Sequence, residues 1–113
     1  MKQTVASVAM ERVGVRKGIG VLSFVVEWWM VEDATGFGGV HGARDVEAFA
    51  DWWKCSRAQA FRRQQIFREA FPEFSTPSDL RSALVAHQVE LPSLSGNVET
   101  DLVSLVTLPY VVA

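Results

Sequence analysis

DVEAFADWWKCSRAQAFRRQQIFREAF, residues 45–71, is the stretch that decides the fold of this chain of 113 residues. Asp45 is a favourable helix N-cap, and the apolar side chains after it recur at helical spacing as far as Trp53. Lys54 and Cys55 follow as a short turn. The first half of the stretch therefore predicts a helix that Asp45 caps and that is followed by a change in chain direction.

The second half of the stretch predicts another helix, which is capped by Ser56. Ser56 and Gln59 form a capping box: the serine oxygen accepts from the Gln59 amide, and the glutamine side chain returns to the serine amide. Pro72 cannot donate a backbone hydrogen bond and disfavours helix in the residue before it. We therefore expect this helix to end at or before Phe71.

The two faces of this second helix differ in chemistry. At about 100° per residue, one face collects Ala60, Gln64, Phe67 and Phe71, with Phe61 at its edge. The other face collects Gln59, Arg62, Arg63 and Ile66, flanked by Ala58 and Gln65. Arg and Gln are the side chains that pair bidentately with guanine and adenine. A helix of about fourteen residues is roughly 21 Å long, enough to lie in a major groove.

The run from Ala50 to Arg63, ADWWKCSRAQAFRR, resembles the helix-turn-helix of small bacterial and phage DNA-binding proteins. That family has a small residue inside the first helix and a Ser after the turn, as Ala50 and Ser56 are here. Three residues after that Ser, the family has Thr or Gln, which is followed by an apolar residue, an aromatic residue and Arg. In this chain these positions are Gln59, Ala60, Phe61 and Arg62. Many members have Gly in the turn, where this chain has Lys54 or Cys55. The sequence around Trp53, Phe61 and Phe67 is also similar to uncharacterised actinobacterial and actinophage proteins.

The resemblance implies a transcriptional regulator that binds a specific sequence of double-stranded DNA. The implied contacts are from Lys54 and Ser56 to phosphate, from Arg57, Gln59, Arg62 and Arg63 to the groove, and from Arg68 to the far backbone. The alternative is a protein-interaction module or phage accessory factor, in which the same basic helix meets an acidic partner.

Composition predicts a single globular domain at a cytoplasmic location. Hydrophobic residues make up 49% and charged residues 21% of the chain, as in folded rather than disordered proteins. The net charge of −2 argues against a general polyanion binder, whereas five cations and no acid between Lys54 and Arg68 form a local basic patch. The single Cys55 excludes an intramolecular disulfide and is compatible with a reducing compartment.

The segments before residue 45 predict further helical structure. Residues 18–35 carry two apolar stripes and predict a buried helix, because the apolar run is too short for a membrane span and Glu27 interrupts it. Residues 1–17 predict a short helix or an ordered arm, whose cations either approach phosphates or form a solvated face. Residues 36–42 predict a glycine-rich loop.

The segments after Pro72 predict another helix and a tail. Thr76 and Pro77 open a helix that is expected to end near Leu91. In residues 98–113, helical spacing favours a helix and the β-branched content favours a short strand, such as a wing. This apolar tail either mediates dimerisation or packs on its own domain.

The expected fold class is all-α: one domain, 1–113, with a helix-turn-helix core at 45–71 and a C-terminal packing or dimerisation segment at 76–113. No serine lies in a nucleophile-elbow pattern, His41 has no partner at metal-ligand spacing, and His87 is expected to be exposed on a surface helix. We therefore expect no enzymatic activity, no metal and no cofactor. The expected partners are double-stranded DNA and, as an open alternative, a second copy of the chain.

Overall fold

The structure, a computed structural model, describes residues 3–36 and 42–111. Its helices are α1 Val5–Val13, α2 Val15–Thr35, α3 Gly42–Trp53, α4 Arg57–Ala70, α5 Pro77–Ala86 and α6 Val98–Val106. The predicted all-α class is confirmed. Most of the predicted glycine-rich loop, including His41, lies outside the described residues.

α2 is the central helix, and it contacts each of the other five helices. Both of its predicted apolar stripes are buried; they contain Leu22, Val25 and Trp29, and Phe24, Trp28 and Val31. The indole of Trp28 donates to Ser78 Oγ and that of Trp29 to the Pro77 carbonyl, both at 2.8 Å. Each buried indole therefore has a partner for its N–H, as buried tryptophans require.

Aromatic side chains join α2 to the helix pair α3–α4. The ring of Phe49 lies 5.0 Å from that of Phe24 and 5.6 Å from that of Trp28. Phe67, on α4, lies 6.3 Å from Phe24. Because all four rings are buried, they form one cluster that supports both helices of the pair from behind.

The N-terminal part of the chain is packed closely against α2. A Cβ atom at Gly18 would lie 2.8 Å from Met10 Cγ and 3.0 Å from Met10 Cα, so the glycine permits α1 and α2 to approach. Arg12, in the last turn of α1, donates to the Ala70 carbonyl at 2.9 Å and pairs with Glu73 at 3.0 Å. The hydrogen bond from Arg12 lowers the pKa of Glu73. α1 thus holds the C-terminal end of α4.

Two predicted helix ends are wrong. α3 begins at Gly42, so Asp45 is a buried residue of its first turn and not its N-cap. Acidic residues are favoured at both positions, because both lie at the positive end of the helix dipole. α5 ends at Ala86 rather than near Leu91. Gln88 has φ 63°, a left-handed conformation that ends the helical path.

The segment after residue 97 forms a helix and not a wing. Asn97 caps α6 by accepting from the Thr100 amide at 3.0 Å. Beyond α6, Pro109 makes a single antiparallel bridge to Thr4, and residues 3–36 and 42–111 contain no β-strand. α6 packs on α1 and α2 of its own domain, which is one of the two roles expected for this segment.

Candidate nucleic-acid interface

α3 and α4 are joined by a turn at residues 54–56. Lys54 has φ 54°, in the left-handed region where glycine is favoured. The Cys55 amide donates to the Ala50 carbonyl at 3.0 Å, and the Cys55 side chain packs against the core. Lys54 therefore adopts the conformation that Gly supplies in many helix-turn-helix turns.

The predicted capping box opens α4. Ser56 Oγ accepts from the Gln59 amide at 3.1 Å, and Gln59 Oε1 accepts from the Ser56 amide at 3.3 Å. The side-chain oxygen of Gln59 is thus already used by the turn, and its NH₂ group is the part left for an external contact. The Ser56 hydroxyl still has its proton to donate, because the cap uses it as an acceptor.

The buried face of α4 is formed by the residues that the sequence predicted. Ala60, Gln64, Phe67 and Phe71 are all buried. The Gln64 side chain, the polar member of this face, donates to the Ser75 carbonyl at 3.1 Å. The amide nitrogen of Gln64 therefore has a hydrogen-bond partner although the side chain is buried.

The outer face of α4 is open to solvent, but its centre differs from the predicted one. It is formed by the exposed residues Ala58, Arg62 and Gln65, with Phe61, 40% exposed, on one flank. Gln65 was expected only as a flanking residue. Ile66, predicted on the outer face, is half-buried and packs against the core.

Arg63 is directed towards α2 and is only partly exposed, which corrects its predicted position on the outer face. Its two terminal nitrogens donate to the Glu27 carboxylate at 3.2 and 2.8 Å. Its guanidinium lies 5.1 Å from the centre of the Phe24 ring. Because each terminal nitrogen bonds one oxygen of the Glu27 carboxylate, Arg63 holds α4 to α2. The sequence signal was Glu27, a carboxylate in a buried helix, which requires a cationic partner.

The other predicted contact residues differ in whether their side chains already have partners within the chain. Arg57 pairs with Glu47 at 2.6 Å, but the two side chains are 67% and 40% exposed. Such a surface pair contributes little and can be exchanged for a phosphate. Arg68 donates from Nε to the Ser75 carbonyl at 3.1 Å. Lys54 and Arg62 are exposed, and neither side chain has a hydrogen bond or ion pair to the part of the chain that the structure describes.

The described residues offer neither a metal centre nor a membrane span. In residues 3–36 and 42–111, no three His, Cys, Asp or Glu side chains are placed to hold a metal ion. Within the same ranges, no helix combines the length and the apolar character needed to cross a membrane.

The chain was compared with protein-family models, curated proteins and solved structures, and it matches none of them.

The left-handed turn gives a testable expectation for stability. We expect Lys54→Gly to raise the free energy of unfolding by roughly 0.5 kcal/mol, because relief of about 1 kcal/mol of strain exceeds the entropy cost of glycine. Lys54→Ala keeps the strain and should leave stability unchanged. Urea unfolding of both variants measures the difference. A Lys54→Gly protein that is less stable than Lys54→Ala would contradict the assignment of strain to this residue.

Proposed function

We propose that the protein is a small transcriptional regulator of the helix-turn-helix type, which binds a specific sequence of double-stranded DNA through α4. The observation that carries the proposal is the outer face of α4: an open surface with the unpaired Arg62 and with Gln65, supported from behind by Phe67. A helix presented in this way, after a short turn, is the form in which such proteins enter the major groove.

In this proposal the residues of α4 and its turn have separate roles. Arg62 pairs with guanine and Gln65 with adenine, since these side chains offer the bidentate geometry that those bases accept. Lys54, the Ser56 hydroxyl and Arg57 contact phosphate, and Gln59 contributes only its NH₂ group. Ala58 has a small side chain at the centre of the outer face, so the helix backbone can approach the bases closely.

The charge distribution favours specific over general binding. The exposed acid Glu69 lies on the outer face one turn after Gln65, and the chain as a whole has a net charge of −2. Affinity for arbitrary DNA depends on phosphate neutralisation, so we expect it to be low and strongly dependent on salt. If two copies bind as a two-fold dimer, their half-sites will lie about 34–36 Å apart.

One observation favours a second candidate, a module that binds an acidic protein. Phe61 is 40% exposed beside Arg62, and an aromatic next to an arginine is typical of protein interfaces. In that case Phe61→Ala weakens binding at least as much as Arg62→Ala does, and duplex DNA does not compete with the partner.

Selection of bound sequences from a random duplex pool tests the first candidate. On the selected duplex we expect Arg62→Ala to lose about 1–3 kcal/mol of binding free energy, and much less on a scrambled duplex. Lys54→Ala should weaken binding to both duplexes alike. Fluorescence anisotropy measures both affinities.

Arg62→Lys is the matched control, because it keeps the charge and removes the planar fork that recognises guanine. It should lose preference for the selected sequence while it keeps affinity for the scrambled one. The proposal fails if the unmodified protein binds no duplex at low salt.

A further inference from the structure

The cationic side chains that the structure describes fall into two groups according to whether they already have a partner within the domain. Five cationic side chains are bonded within the domain: Arg12, Arg57, Arg63, Arg68 and Arg81. Four others are exposed and make no hydrogen bond or ion pair to residues 3–36 or 42–111: Arg16, Lys17, Lys54 and Arg62. Lys54 and Arg62 belong to the proposed interface. Arg16 and Lys17 lie in the first turn of α2, in the segment whose cations were expected either to approach phosphates or to form a solvated face.

The packing of α2 against α4 determines where this first turn of α2 lies. The two helices run antiparallel, since Phe24 contacts Phe67 and Glu27, one turn later in α2, pairs with Arg63, one turn earlier in α4. Towards the start of α2 the chain therefore approaches the C-terminal end of α4. Lys17 lies about 10 Å along α2 from Phe24, a distance that reaches past the end of α4.

The bond from Arg12 to the Ala70 carbonyl gives independent support for this placement. It attaches the last turn of α1, and so the α1–α2 junction, to the last residue of α4. Arg16 and Lys17 follow that junction directly, so they lie beyond one end of α4 while Lys54 lies at the other. Glu73, in the same region, is already neutralised by Arg12.

We propose that Arg16 and Lys17 form a second phosphate-binding site, which contacts the backbone on the side of the major groove opposite to that contacted by Lys54. A helix in a groove about 12 Å wide has a different sugar-phosphate backbone near each of its ends. In the last turn of α4 the exposed Arg68 and Glu69 carry opposite charges, so Arg16 and Lys17 of α2 add the net positive charge on this side. This inference rests on the proposed function, because it requires that α4 binds duplex DNA.

Salt dependence of binding is the measurement that tests the second site. The double variant Arg16→Ala/Lys17→Ala is compared with the unmodified protein on a labelled duplex pool of random sequence, by anisotropy between about 50 and 200 mM KCl. Each lost phosphate contact should reduce the slope of log K against log salt by about 0.9, so we expect a reduction of about 1.8. Affinity should fall by at least about tenfold, equally on the selected and scrambled duplexes.

A matched control separates a local contact from a change in total charge. Gln88→Glu/Ser93→Glu, on the exposed connector between α5 and α6, also lowers the net charge by two, and it should leave the slope unchanged. If the unmodified protein binds DNA and the Arg16/Lys17 variant keeps its slope, the second site is refuted and the proposed function stands. An equal loss in the control variant also refutes the site. If the unmodified protein binds no duplex, the proposed function itself fails.

Discussion

Replacing Phe49 by alanine is expected to lower the free energy of unfolding by about 3–5 kcal/mol, the usual cost of removing a buried aromatic ring. Phe49 is fully buried, and its ring contacts those of Phe24 and Trp28 on α2. Its loss leaves a cavity where α3 meets the central helix. Because small domains have about 5–15 kcal/mol of stability in total, the variant will be close to unfolding at room temperature. Urea titration followed by circular dichroism measures the change.

Phe61→Ala is the matched control for this experiment, since it removes the same side chain from the same helix pair. Phe61 is 40% exposed on the outer flank of α4. We expect its loss to cost no more than about 0.5–1 kcal/mol, as for other surface substitutions. Equal losses for the two variants would show that Phe49 does not occupy the core position described here.

Arg63→Ala is expected to lower the free energy of unfolding by about 2 kcal/mol. Breaking a buried ion pair by removing one partner costs about 3–5 kcal/mol, because a charge remains without compensation. The Arg63 and Glu27 side chains are 33% and 17% exposed, so solvent reduces that cost. The guanidinium also loses its contact with the face of the Phe24 ring, which contributes about 0.5–1 kcal/mol at sites of this kind.

A double-mutant cycle distinguishes the ion pair from a general effect of removing arginine. If the pair is formed, Glu27→Ala and Arg63→Ala together will cost less than the sum of the single changes, by about 1–2 kcal/mol. Arg57→Ala is the control, because its pair with Glu47 is exposed and should contribute less than about 0.5 kcal/mol. Additive losses at Glu27 and Arg63 would falsify the pairing.

Features that depend on neighbouring residues could be predicted from the sequence. The Ser56–Gln59 capping box, the end of α4 before Phe71 and the buried inner face with Phe67 all follow from residues within one or two helical turns. The same holds for Asn97 at the start of α6. Each is a local hydrogen bond or a helical period, so the information lies within the segment itself.

Features that depend on distant partners could not be predicted in this way. The prediction put Arg63 on the outer face, although at about 100° per residue it lies roughly 70° from the centre of the inner face and so at the border of that face. The partner that it meets there could not be identified from its own segment. Its partner Glu27 lies 36 positions earlier in the chain. The orientation of Arg63 is set by this tertiary contact. Likewise, the sequence left the cations of residues 1–17 either as phosphate contacts or as a solvated face, and the position of Arg16 and Lys17 relative to α4 follows only from the packing of α2 against α4.

The close approach of α1 and α2 limits how the sequence can evolve. Any side chain larger than hydrogen at residue 18 meets Met10, including its main chain, and therefore pushes the two helices apart. Arg12 belongs to α1, so a displacement of α1 would strain its hydrogen bond to the Ala70 carbonyl. Descendants that retain the position of α4 should therefore keep glycine at 18 while the surface around it diverges, and this makes the position a marker for recognising distant relatives.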